Sequence, residues 1–121
     1  PADAKDIITV GSVNEYGINA AFSAVGPTAD GRIKPDVMAY GSPTSVITGR
    51  GSIINDNGTS FSSPLVAGMV ACLWEALPQK TAKQIIKLVR LAGNNQQHPD
   101  NVYGYGVPDF WKAYQTGKTI K

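Results

Sequence analysis

A long apolar run from Leu65 to Leu77 constrains this chain more than any other feature, and the segment Asn57–Pro64, which reads NGTSFSSP, leads into it. Glu75 is the only charged residue in the run, and Pro78 follows it directly. A helix that is apolar nearly all round has no face suited to water. The run therefore predicts a central, enclosed helix that begins after Ser60 and is too short to span a bilayer.

Length and charge exclude several classes of protein. The chain has 121 residues and a net charge of +2, which indicates one domain or a piece of one and argues against nucleic acid or a membrane surface as a partner. The sequence shows no signal peptide, and it starts at Pro1 without a methionine, as a processed or shortened product would. Four basic residues at helical spacing predict a solvated helix face: Lys80, Lys83, Lys87 and Arg90.

Cys72 is the only cysteine, so no intrachain disulfide forms. Its neighbours in the apolar run predict a buried thiol with a structural role.

Local signals predict the remaining elements of an α/β domain. Thr81, with Gln84 three residues later, predicts a capping box at the start of a second helix, and Gly93 predicts the C-terminal cap of that helix. A last short helix is predicted over Val107–Thr116. Four apolar or β-branched stretches predict strands: Ile7–Val13, Asp36–Ala39, Ser45–Thr48 and Ser52–Asn55.

Ser60 lies at the predicted start of the apolar helix, where two interpretations are open. The first backbone N–H groups of a helix lack partners and favour negative charge. A serine there could attack a carbonyl while its own N–H holds the developing oxyanion. Gly58 is expected to let the backbone turn sharply and to leave room for a substrate chain, and Pro64 lacks the N–H that would bond to the carbonyl of Ser60. Alternatively, Ser60 is simply a helix cap.

Several stretches resemble the subtilisin-like serine proteases, in the order of that family. Asn57–Pro64 fits the pattern Gly-Thr-Ser-x-Ser/Ala-x-Pro at every fixed position. Phe22–Gly41, FSAVGPTADGRIKPDVMAYG, resembles the segment Gly-Pro-x-x-Asp-Gly-Arg-x-Lys-Pro-Asp. Val102–Ala113, VYGYGVPDFWKA, resembles the Tyr-Gly-x-Gly segment before a terminal helix, and Pro1–Val13 is similar to the strand after the oxyanion-hole region. The resemblance covers essentially the whole chain.

The resemblance implies a partial subtilisin-like three-layer α/β fold, with mostly parallel strands packed by a central helix that bears Ser60. It implies a serine endopeptidase that works through an acyl-enzyme on Ser60. Asn57 and Phe61 are expected to line the cleft on either side. Gly58 and Thr59 are expected beside the oxyanion, although Thr59 would serve equally well as a helix cap.

Three departures from the family pattern leave substrate preference open. The family usually has Pro where this chain has Tyr40, often Arg in place of Val25, and frequently His in place of Leu65.

The catalytic set implied by the resemblance is incomplete in this sequence. The family order is Asp, His, Ser, but the only histidine, His98, follows Ser60 in a polar loop and is predicted to be a surface residue. The whole chain, residues 1–121, is therefore expected to be the C-terminal portion of a peptidase domain and to be inactive alone. The expected partners are a polypeptide substrate and the N-terminal portion of the domain. Without that N-terminal portion, an unpaired sheet edge and an uncovered helix face are expected to cause self-association of the chain.

The resemblance also implies a secreted or cell-envelope protein without a cofactor. No metal site is predicted, and calcium, which many family members bind, would be held by segments that this sequence does not contain. Asp36 is either a carboxylate partner of the serine or, as we expect, an acceptor for backbone N–H groups in its own loop.

Two other functions compete with the peptidase. One is a self-contained hydrolase of Ser60, His98 and either Asp36 or Asp100, but its usual Gly-x-Ser-x-Gly motif fails because residue 62 is serine. The other is a non-catalytic interaction module or pseudoenzyme.

Overall fold

The computed structural model describes residues 1–119, which form four strands and three helices. The predicted elements are all present, although β1 starts later than Ile7 and the last helix starts later than Val107. In chain order they are β1 (Val10–Asn14), β2 (Val37–Ser42), β3 (Thr44–Ile47), β4 (Ile53–Asp56), α1 (Thr59–Ala76), α2 (Ala82–Leu91) and α3 (Phe110–Thr119).

The strands form two separate pairs, and the α/β prediction is confirmed. β1 and β2 are parallel, with Val10 opposite Val37 and Val13 opposite Tyr40. β3 and β4 are antiparallel, with Ile47 opposite Ile53. Parallel pairing, expected for most strands, thus holds for one pair only. The second pair is a hairpin because the chain between β3 and β4 is too short for a parallel crossover.

The core lies where α1 packs against β1 and β2 and where α2 and α3 close against α1. Most buried apolar residues come from β2 and the three helices, and they form one cluster: Val37, Ala39, Val66, Leu73, Leu77, Ile85, Leu88, Val89, Ala92 and Ala113. This packing fixes where α1 begins relative to β2.

The prediction that α1 is enclosed is wrong within residues 1–119. Only Ser62, Val66 and Leu73 of the helix are buried, whereas Leu65 is 50% exposed and Met69 is 46% exposed. The apolar composition of the run extends round the helix, but the strands and helices of the chain cover one side only.

The prediction of a buried Cys72 is wrong for the same reason. The thiol is exposed and lies on an apolar groove between α1 and α3, which Leu73, Phe110 and Trp111 also line.

The predicted start of α2 is confirmed, and its predicted end is wrong. The Thr81 hydroxyl accepts the N–H of Gln84, and the Gln84 side chain accepts the N–H of Thr81, which completes the capping box. The helix ends at Leu91 with Ala92 as its cap, so Gly93 is not the capping residue. Gly93 bridges to Pro108 instead, and a β-carbon there would collide with the carbonyl of Tyr105. Close packing, and not a left-handed turn, requires the glycine.

The predicted basic face of this region is only partly solvated. Lys83 and Lys87 are exposed as expected. Lys80 is buried, and Arg90 forms an ion pair with Asp36, so the prediction is wrong for both.

Candidate active site

Ser60 is exposed in the first turn of α1. The helix begins at Thr59 after Gly58, and no side chain caps it, so capping by Ser60 or Thr59 is not what these residues do. The residue four positions before Ser60 is Asp56, which belongs to β4, so the N–H of Ser60 has no acceptor inside the helix. A hydroxyl and an unbonded N–H of one residue thus lie together at the positive end of the helix dipole.

Three hydrogen bonds from the motif region to β2 hold the start of the helix in place. The N–H of Gly58 donates to the carbonyl of Gly41 at 3.1 Å, and the hydroxyl of Ser42 donates to Oδ1 of Asn57 at 3.0 Å. The buried hydroxyl of Ser62 donates to the carbonyl of Ala39 at 3.0 Å. The loop before Ser60 and the first turn after it are therefore fixed to one strand.

The anchoring role of Ser62 was not predicted from the sequence. The available signal was a second serine two residues after Ser60, just before the chain becomes apolar. Ser62 is fully buried, and a β-carbon on Gly41 would crowd both its hydroxyl and that of Ser12. The close approach of β2 to α1 thus depends on glycine at position 41.

The predicted reason for Gly58 is wrong in part. Its φ of 163° is an extended value that any residue adopts, so no unusual turn requires glycine. A β-carbon there would lie 3.6 Å from the ring of Phe61, at ordinary contact distance. The ring of Phe61, in the first turn of α1, therefore lies beside Gly58.

Ser60 lines an open groove of about 580 Å³. Thr59, Ser63 and Pro64 of α1 line the same side, and the segment 7–10 and the N-terminal Pro1 and Ala2 complete the lining. Asn57, Gly58 and Phe61 are not among the lining residues. The structure thus places two of the predicted site residues, Ser60 and Thr59, in the groove. Asn57 and Gly58 lie on the preceding loop, and Phe61 lies in the first turn of α1 outside the groove.

Pro64 lies further along α1 than predicted, since it is the sixth residue of a helix that starts at Thr59. It lacks an N–H, so it cannot donate to the carbonyl of Ser60.

The side chains proposed for a self-contained hydrolase do not gather at Ser60. His98 is exposed, as predicted, and lines a different cavity that shares no residue with the groove. Asp100 accepts the backbone N–H groups of Tyr103 and Val102, and these bonds lower the pKa of its carboxyl. Within residues 1–119 the hydroxyl of Ser60 makes no hydrogen bond.

Asp36 is also engaged elsewhere. Its carboxylate accepts the N–H of Thr9 and the side chains of Lys34 and Arg90. A backbone N–H is therefore one of its partners, as predicted, but that group belongs to a distant segment and not to the loop of Asp36.

Over the described residues, no group of three or more His, Cys, Asp and Glu side chains gathers as metal ligands would. No helix in residues 1–119 has the length and apolar character needed to cross a membrane.

The fold and site define an α/β domain that presents a serine at a helix N-terminus beside a parallel strand pair. Residues 1–106 match the model of the Subtilase family, and the chain belongs to that family. The predicted resemblance is thereby confirmed.

The similar proteins are proteases much longer than this chain. Subtilisin-like protease SBT6.1 of Arabidopsis thaliana is 33% identical over 98% of this chain and 13% of its own length. Membrane-bound transcription factor site-1 protease of Mus musculus is also 33% identical, over 100% of this chain and 12% of its own. The chain thus spans about one eighth of the length of these two relatives.

Solved structures show the same fold. MycP1 from Mycobacterium smegmatis superposes with a TM-score of 0.73 at 28% identity, over 89% of this chain and 29% of MycP1. The CspB protease of Clostridium perfringens gives a TM-score of 0.83 at 24% identity, over 100% of this chain and 29% of its own, which is a likeness of fold alone.

Proposed function

We propose that Ser60 is the nucleophile of a serine endopeptidase. The observation that carries the proposal is the exposed hydroxyl of Ser60 in the groove, next to an N–H that has no acceptor in the helix. In this mechanism Oγ attacks the carbonyl carbon of a peptide bond, and the Ser60 N–H donates to the oxyanion that forms. Collapse of the intermediate expels the amine and leaves an acyl-enzyme, which water then hydrolyses. No cofactor takes part.

A general base must take the proton from Ser60 during attack. We propose that a His and an Asp from a part of the catalytic domain outside these 121 residues supply this activation, as the family resemblance implies. The separate cavity of His98 supports that assignment. The isolated chain is then inactive, because an unactivated serine is a weak nucleophile. Asn57 and Phe61 flank the bound polypeptide, and Thr59 adds its hydroxyl near the oxyanion.

Labelling with a fluorophosphonate tests this function. The full-length protein that contains this chain should react stoichiometrically at Ser60, while the 121-residue chain alone should not. Ser60→Ala should abolish labelling and reduce kcat for a peptide substrate by about a millionfold, the loss expected when the nucleophile of a triad is removed.

Ser63→Ala is the matched control for this experiment, because Ser63 is also exposed and lines the same groove. It should leave labelling intact. Stoichiometric labelling of the isolated chain would show that the base is local and would revive a role for His98.

The second candidate is a non-catalytic interaction module. The observation that favours it is the apolar face of α1, where Leu65 and Met69 are about half exposed. Full-length protein that binds a polypeptide but is not labelled at Ser60 would support this function and exclude the peptidase.

The family resemblance also carries the proposed location and partners. We propose a secreted or cell-envelope protease that acts on a polypeptide substrate, as the family resemblance implies. The exposed side of α1 packs against the N-terminal portion of the same domain, since exposed apolar patches of that kind mark interaction surfaces.

A further inference from the structure

The carboxylate of Asp36 is a buried junction of the fold. Its side chain is 2% exposed. Oδ2 accepts the Lys34 ammonium at 2.7 Å, and Oδ1 accepts the Arg90 guanidinium through Nη2 at 2.6 Å and Nε at 2.9 Å. A buried carboxylate is tolerated only when it is paired and hydrogen-bonded. The two cations therefore fix the orientation of this carboxylate.

The same carboxylate holds the backbone of Thr9. Oδ2 of Asp36 accepts the N–H of Thr9 at 2.7 Å, and the N–H of Asp36 donates to the carbonyl of Thr9 at 2.8 Å. The ladder between β1 and β2 begins one residue later, where Val10 lies opposite Val37. Asp36 thus fixes both backbone groups of Thr9 and extends the strand pairing by one residue with a side chain.

Thr9 belongs to the groove that contains Ser60. The segment 7–10 lines the groove together with Thr59 and Ser60 of α1. The Thr9 carbonyl accepts the backbone N–H groups of Asp36 and Val37, whereas the Thr9 N–H bonds to the Asp36 side chain. The Asp36 carboxylate is therefore the side chain that completes the hold on this segment next to the nucleophile. Arg90 in turn ties its carboxylate to α2.

We infer that Asp36 is a positioning residue for the substrate groove: it sets where the segment 7–10 lies relative to Ser60, without touching substrate. This inference rests on the proposed peptidase function. A misplacement of about 1 Å far from the reacting atoms can lower catalysis about a hundredfold. Loss of the Thr9 bond should therefore act on peptide substrates that fill the groove more than on a small reagent that meets Ser60 alone.

Two substitutions separate the hydrogen bond from the charge. Asp36→Ala and Asp36→Asn both leave Lys34 and Arg90 without their counter-charge, but the asparagine keeps an oxygen that can accept the N–H of Thr9. In the full-length protein, kcat/KM for a peptide should fall about a hundredfold with alanine and about tenfold or less with asparagine. The rate of fluorophosphonate labelling at Ser60 should change less than about twofold in both.

Val89→Ala controls for stability, because Val89 is a fully buried residue of α2 that lies outside the groove and the ion cluster. It should lower Tm while kcat/KM stays near the wild-type value. Arg90→Lys is the variant to measure if both Asp36 variants fail to fold. It keeps the positive charge but loses the paired Nε and Nη2 contacts to Asp36. It should lower kcat/KM several-fold with labelling intact.

The outcomes distinguish the two hypotheses. Absence of Ser60 labelling in the wild type would overturn the proposed function itself. With labelling intact, equal kcat/KM for alanine and asparagine at position 36, or an equal loss in Val89→Ala at matched Tm, would overturn the positioning role. An unchanged kcat/KM in Arg90→Lys would overturn it when that variant is the one measured.

Discussion

The two strand pairs support Ser60 in different ways. β1 and β2 are largely buried, and β2 holds the start of α1 through the carbonyls of Ala39 and Gly41. β3 and β4 form an exposed hairpin, in which Ile47 and Ile53 lie opposite each other at 76% and 74% exposure. The hairpin leads the chain into the Ser60 loop, but the buried pair fixes where that loop lies. The buried pair therefore sets the position of the Ser60 loop, and the hairpin only sets the direction from which the chain enters it.

The largest expected effect concerns association. The 121-residue chain should self-associate at tens of micromolar, because the hairpin offers free strand edges and α1 offers an apolar face. Sedimentation velocity should show a dimer or larger species. Ile47→Lys with Ile53→Lys should shift the chain toward monomer if the hairpin edges pair, while Tyr16→Lys, in an exposed turn, should not. A stable monomer that unfolds cooperatively and binds no hydrophobic dye would contradict the expectation.

The next effect compares side-chain truncation in the two pairs. Met38→Ala in β2 should lower the free energy of unfolding by about 2–5 kcal/mol, because Met38 is fully buried and its removal leaves a cavity. Ile53→Ala in β4 should change it by about 0.5 kcal/mol or less. Urea denaturation measures both. Similar losses at the two positions would mean that the hairpin is packed in solution.

Glycine substitution sharpens the same contrast. Gly41→Ala should cost about 1–3 kcal/mol, because a β-carbon would crowd the hydroxyls of Ser12 and Ser62 and the carbonyl of Gly58 at 2.8 Å. A β-carbon on Gly49, in the hairpin loop, would meet no atom within 4 Å, and the φ of Gly49 is not positive, so Gly49→Ala is the neutral control. Thermal unfolding of the two variants tests this, and a tolerated alanine at position 41 would count against the close packing of β2 on α1.

Hydroxyl removal should have a smaller effect. Ser62→Ala removes the buried bond to the Ala39 carbonyl and should cost about 1 kcal/mol of unfolding free energy. Ser45→Ala removes an exposed bond to Asn55 within the hairpin and should cost less. Equal costs in urea denaturation would show that burial does not separate the two bonds.

The smallest effect is acid sensitivity in the connection between β1 and β2. Hydrogen bonds to Asp30 lower the pKa of its carboxyl to about 2, from an ordinary 3.8. The bond from the Thr28 hydroxyl has the largest effect, and the bond from the Arg32 side chain has the next largest. Because the folded pKa is depressed, the associated stability is present above about pH 4 and is lost as the pH falls toward about 2. Tm should therefore differ between wild type and Asp30→Asn at about pH 5 and converge at about pH 2. An equal Tm at the higher pH would contradict the prediction.

Local signals predicted the elements and the position of Ser60. The capping box of Thr81 and Gln84 and the stop at Pro78 depend on residues close in sequence. Such local signals predict the same helix ends whatever the tertiary packing. The Asn57–Pro64 motif likewise placed Ser60 correctly at the start of α1.

Long-range features could not be predicted in the same way. Asp36 meets Arg90 across 54 positions of sequence, and a helix pattern alone assigned Arg90 to solvent. Cys72 was predicted to be buried because its neighbours are apolar, but its exposure depends on which face of α1 the rest of the chain covers. Tertiary packing decides both the pairing of Arg90 and the exposure of Cys72. The periodicity of a single sequence carries no information about that packing.

The anchoring of Gly58 and Ser62, on either side of Ser60, to β2 leaves the side chain at position 40 free for labelling. The bonds to Ala39 and Gly41 use main-chain carbonyls, while the intervening Tyr40 side chain is 37% exposed. A reporter attached at Tyr40→Cys would stand on the strand that holds the start of α1 without replacing either anchor. Cys72 is exposed and would compete for the reagent, so it must first become serine. A fluorophore placed there would report on whether this strand moves when a polypeptide binds.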